Sequence, residues 1–121
     1  MNLVMSKIIN RIGGIMKIRD LNTVVDFPYE VRINSILDAY TVLEDRLMVK
    51  NLPRTYKEFL NNVKDYCDIH DELDLISINQ KNPVIRLKNL DIRDLVIKEI
   101  TQDWIIYVGW EKNIKREEMW K

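Results

Sequence analysis

The stretch Trp104-Ile105-Ile106-Tyr107-Val108-Gly109-Trp110 constrains the fold more than any other part of the chain. Successive side chains of a strand point to opposite faces. As a strand, this stretch carries Trp104, Ile106, Val108 and Trp110 on one face and Ile105, Tyr107 and Gly109 on the other. Neither face is polar. Such a strand cannot leave one side in water, so it lies centrally, covered on both sides, or holds its second face in an interface. The rest of the chain is expected to pack around it.

At 121 residues, 46% hydrophobic and 31% charged, the chain has material for one core and a charged surface. The apolar spacing divides it into elements. Val4, Met5, Ile8, Ile9 and Ile12 recur at helical intervals, with Gly13 as a stop. Residues 15–25 read as a strand. Pro28 suits the first turn of a helix, and Ile33, Ile36, Leu37, Tyr40, Leu43 and Leu47 then form a helical stripe over residues 29–49. Thr55 and Glu58 open a second helix as a capping box, with Phe59, Leu60, Val63, Tyr66, Cys67 and His70 as its stripe.

After Asp74 the period falls to two. Strands are expected at 75–79 and 84–88, with a turn between them. Leu90–Ile100 fits a β-branched strand, or a helix capped by Asp91; the strand is preferred because Thr101-Gln102-Asp103 then turns into the Trp104–Trp110 stretch. The expected fold is α+β: an antiparallel helix pair on an antiparallel sheet of about four strands, with a short N-terminal helix or strand.

Composition also bears on origin and class. Alanine occurs once, at Ala39, while Ile, Asn and Lys are abundant, a bias that points to an AT-rich phage or bacterial genome. Gly13-Gly14-Ile15-Met16 is what a ribosome-binding sequence read in frame encodes. It makes Met16 a candidate start, residues 1–15 an N-terminal extension and residues 16–121 a single α+β domain. The 19 basic and 19 acidic residues cancel, which weakens the case for a nucleic-acid binder and for a polyanion mimic alike. The lone Cys67 excludes an internal disulfide and leaves a reducing cytoplasm as the expected compartment. No run approaches the ~20 apolar residues of a membrane span.

No catalytic or phosphate-binding motif stands above chance. The densest chemistry is residues 65–74, where Asp65, Asp68, Asp71, Glu72 and Asp74 gather at the expected end of the second helix. Acids there oppose the helix dipole by roughly 0.3–1 kcal/mol each. Either the helix stops early and they are solvated, or they form an acidic docking patch, or Cys67, His70 and Asp71 or Asp74 hold a metal. Two nitrogen or sulfur ligands are too few for a zinc tetrahedron, so neither metal nor cofactor is expected.

The leading expectation is a small non-enzymatic binding protein of a phage or mobile element, oligomeric, that occupies a partner protein or small ligand, for example as an inhibitor of host defence. Its partner-binding residues would be Trp104, Tyr107, Trp110, Trp120, Asp68, Asp71 and Glu72. One alternative is a nucleic-acid-binding regulator with Arg86, Lys88, Arg93 and Lys98 on a basic sheet face. Another is a small enzyme using His70 with the acidic cluster.

Overall fold

A computed structural model describes residues 15–79 and 82–111 of the chain. In order, the elements are a helical turn α1 (Ile18–Leu21), β1 (Glu30–Ile33), α2 (Ile36–Thr41) widening into a π-helical turn (Val42–Arg46), α3 (Tyr56–Ile69), β2 (Leu73–Asn79), β3 (Asn82–Leu87), β4 (Val96–Ile100) and β5 (Ile105–Gly109). The strands form one sheet in the order β2-β3-β1-β5-β4.

Residues 29–33 depart from the expected helix. Glu30-Val31-Arg32-Ile33 alternates polar and apolar, and it is the middle strand of the sheet, antiparallel to β3 and parallel to β5. The sheet is therefore mixed, with five strands, rather than antiparallel with four. Helix begins only at Ile36, after Ser35 in extended conformation. Its end is loosened to a π-turn, closed by the Leu47 N–H donating to the Val42 carbonyl at 3.2 Å. The expected pair of long helices is thus one short, irregular helix and one regular one. Residues 15–25 likewise form a helical turn after a single bridge, Lys17 to Val96, and not a strand. The helix expected before Gly13 lies outside the described residues.

Other elements match their sequence signals. Thr55 Oγ1 accepts the Glu58 N–H at 3.3 Å, and α3 runs fourteen residues from that cap with Phe59, Val63 and Cys67 buried. The β2–β3 hairpin falls where alternation begins, and Asp91 makes a local turn with Arg93 instead of capping a helix. β5 is an interior strand between β1 and β4, as its composition demands.

Alternation assigns the faces. Val31, Ile33, Ile85, Leu87, Ile97, Ile106 and Val108 are buried in one core with Ile18, Leu21, Val42, Leu43 and Phe59. Four of these, Leu21, Ile33, Phe59 and Ile106, are 0% exposed; burying each stabilises the fold by about 1.5–3 kcal/mol. Asp38 enters this layer from α2 and accepts the Trp110 N–H at 3.0 Å, tying the first helical turn to the end of β5. A Cβ on Gly109 would collide with the Asp38 carboxylate, so any other residue there must displace it.

Candidate functional site

The alternate residues of the same strands line the opposite face of the sheet. Register places Asp74, Arg86, Arg32 and Tyr107 in one row across β2, β3, β1 and β5, with Glu99 of β4 opposite Tyr107. Two arginines directly opposed on neighbouring strands repel. Glu30 relieves this: its carboxylate accepts from Arg32 Nε at 2.6 Å and pairs with Arg86 Nη1 at 3.2 Å. Asp74 receives Arg86 Nη2 and Lys88 Nζ, both at 3.1 Å. Burial opposes charge on Arg32, but the hydrogen bonds its guanidinium donates to Glu30 and Tyr107 outweigh it and hold it above its ordinary value. Ion pairs that water still reaches, as these half-buried ones are, each contribute about 0–1 kcal/mol, so the network's chief effect is to fix these side chains in place.

At one end of this face lies an open depression of about 570 Å³, bordered by Tyr29, Glu30, Arg86, Lys88, Trp104 and Ile105. Trp104 belongs to the β4–β5 turn and not to the strand. Its N–H donates to the Thr101 carbonyl at 3.1 Å, and the Thr101 N–H donates to the Ile105 carbonyl at 3.0 Å. This is a three-residue hairpin loop whose last position takes left-handed backbone, normally supplied by glycine. Trp104 adopts it with φ 59°. Its ring meets Phe27 edge to face at 4.7 Å, and its carbonyl receives the Glu30 N–H at 3.3 Å. Burial pushes the neighbouring Tyr29 phenol above its ordinary value, opposed by its hydrogen bond with Asn22.

The structure brings together residues assigned to rival functions. Trp104 packs against the core and borders the same depression as Arg86 and Lys88, and Tyr107 lies in one row with Arg32 and Arg86. The remaining candidates lie elsewhere. Trp110 follows β5, with the Arg46 guanidinium 5.7 Å from its ring centroid and Lys98 Nζ donating to its carbonyl at 3.0 Å. Arg46 is itself held by Asp94 at 2.7 Å. Arg93 pairs with Asp91 in an exposed turn. The four basic residues thus form no continuous stripe, and each has an acceptor. Trp120 lies outside the described residues.

The acidic cluster is divided too. The helix continues to Ile69, so Asp65 and Asp68 sit on α3, where Lys64 pairs with Asp68 at 3.5 Å. Asp71 is exposed in the following turn, the Glu72 carbonyl receives the Lys88 N–H, and Asp74 serves the sheet network. His70 ends α3, its N–H donating to Tyr66. Cys67 is buried, and desolvation, with Asp68 and Asp74 adding to it, raises its thiol to about 11. It is a protonated core residue at neutral pH. Among the described residues, no group of three or more His, Cys, Asp or Glu is placed to hold a metal ion, and no helix is long and apolar enough to cross a membrane.

Sequence reading missed Phe27, Tyr29, Glu30 and Arg32, which complete this face. The available signal was the two-residue alternation of Glu30-Val31-Arg32-Ile33. Comparison with protein-family models, curated proteins and solved structures finds no match.

Proposed function

We propose that the chain is a small non-enzymatic binding protein that acts by occupying a protein partner, with Trp104 as the anchor of its binding surface. The observation that carries this reading is the left-handed backbone of Trp104. That conformation costs an L-residue about 1–2 kcal/mol, and glycine would adopt it freely. Backbone outliers of this kind gather at binding and active sites, and here the outlier carries a half-buried indole that packs partly on the core. What it achieves is placement: an indole braced on Phe27, at the rim of a depression flanked by Tyr29 and Arg86. Trp, Tyr and Arg are the residues enriched at the energetic centres of protein interfaces.

Charge supports a protein over a nucleic acid. Arg32, Arg86 and Lys88 are balanced on this face by Glu30, Asp74 and Glu99, so it offers no field to draw in a polyanion. In the phage or mobile-element setting suggested by composition, inhibition of a host defence component is a role such a binder would serve. Affinity capture from host lysate with wild type and Trp104→Gly tests the reading. A protein held by wild type and lost from a folded Trp104→Gly supports it; equal retention by both sinks it.

A further inference from the structure

The sheet has two edges, and the chain treats them differently. At β4 the edge is closed from within: the Ile97 N–H donates to the Met16 carbonyl at 2.8 Å, and the Ile18 N–H donates to the Leu95 carbonyl at 3.0 Å. Lys98 and Glu99 also place charge on that strand. At β2, no described segment pairs with the outer side. Its outer stretch, Leu75-Ile76-Ser77-Ile78-Asn79, carries no charge, and Ile76 and Ile78 are each 45% exposed.

The backbone at Ile78 faces outward. Ile78 lies opposite Pro83, which has no N–H, so the two cannot exchange a pair of hydrogen bonds. In an antiparallel ladder, a residue in a non-bonded pair turns its own N–H and C=O away from its neighbour. Among the described residues, the Ile78 N–H and C=O therefore have no partner, and they lie beside an exposed apolar side chain. Edges of this kind template the addition of another strand.

We propose that the added strand is β2 of a second copy of this chain, antiparallel, around a two-fold axis at Ile78. The axis sets Ile78 opposite its own copy, so the free donor and acceptor of each satisfy the other, and Ser77 faces Asn79. The uncharged run meets itself with no like charges opposed, and the two exposed isoleucines at the axis pack together. The bulge between Leu75 and Ser77 ends regular pairing on one side and keeps the contact short. Interfaces well under about 1,000 Å² are weak, so the dimer is concentration-dependent. This association is independent of the Trp104 surface, and its failure leaves the proposed binding role untouched.

Sedimentation velocity from micromolar to millimolar protein tests it. Mass should rise from 14.5 kDa toward twice that value. Ile78→Lys, which sets two lysines against each other, should weaken association about tenfold or more. Met48→Lys, at a site 78% exposed elsewhere, should leave it unchanged. A second variant reads the register. Bonded antiparallel pairs hold their Cα atoms about 5.5 Å apart, within the roughly 4.4–6.8 Å span of a disulfide. Ile78→Cys should therefore cross-link to itself under mild oxidation, while Ile69→Cys, 73% exposed on α3, should not. A monomer throughout the range, a dimer indifferent to Ile78→Lys, or equal cross-linking of both cysteine variants would overturn the proposal.

Discussion

At position 104, glycine should give a more stable protein than alanine, reversing the usual order. Both substitutions remove the indole and its edge-to-face contact with Phe27, worth about 0.5–1.5 kcal/mol. That loss cancels in the comparison, as does the loss of partial burial. What remains is backbone. Alanine keeps the left-handed penalty of about 1–2 kcal/mol, whereas glycine removes it but gives up about 0.4–1 kcal/mol through a freer unfolded chain. The difference favours glycine by about 1 kcal/mol. With a urea m-value of roughly 1–3 kcal/mol/M, the Trp104→Gly midpoint should lie about 0.3–1 M above that of Trp104→Ala. Urea unfolding followed by far-UV circular dichroism measures this directly. If alanine matches or exceeds glycine, Trp104 is not strained, and the argument from strain to function fails.

Three further outcomes are expected. Gly109→Ala drives a methyl group into the Asp38 carboxylate and should cost about 1–3 kcal/mol; adding Asp38→Ala should recover part of that loss, which a double-mutant cycle in urea would register. The Cys67 thiol ionises less readily in the fold, at about 11 against an ordinary 9.0. The folded state therefore binds more protons as pH rises through that window, and the stability contributed by the neutral thiol is present below pH 9.0 and lost toward 11. Cys67→Ala should show a smaller alkaline fall in unfolding midpoint, and native Cys67 should resist thiol reagents at neutral pH. Nucleic-acid affinity should be negligible at physiological salt. Tight binding with a log–log salt slope near 0.9 per duplex phosphate contacted, flattened by Arg86→Glu with Lys88→Glu, would instead favour a nucleic-acid regulator.

Local signals were legible in the sequence and non-local ones were not. The Thr55 cap, the Phe59-Val63-Cys67 stripe and the β2–β3 alternation are each decided by neighbours a few residues away, and all three stand in the structure. β1 escaped because it is four residues long. Ile33 also sits three residues before Ile36, so a strand end merged with a helical stripe. What makes Glu30–Ile33 a strand is pairing with Ile85–Leu87 and Ile105–Tyr107, far along the chain. The site shared that fate: Glu30 and Arg32 reach the open face only because β1 is a strand. By composition Trp104 continues the apolar run of β5, and its indole packs on the core, while its backbone belongs to the turn closed on Thr101.

The central claim, that Trp104 anchors a protein partner, is tested most directly by the affinity of wild type and Trp104→Gly for a protein recovered by capture, measured by calorimetry with unfolding followed in parallel. Loss of a hot spot of about 2 kcal/mol or more predicts binding at least about thirtyfold weaker for Trp104→Gly, with the fold retained. Equal affinity of the two proteins would contradict the account.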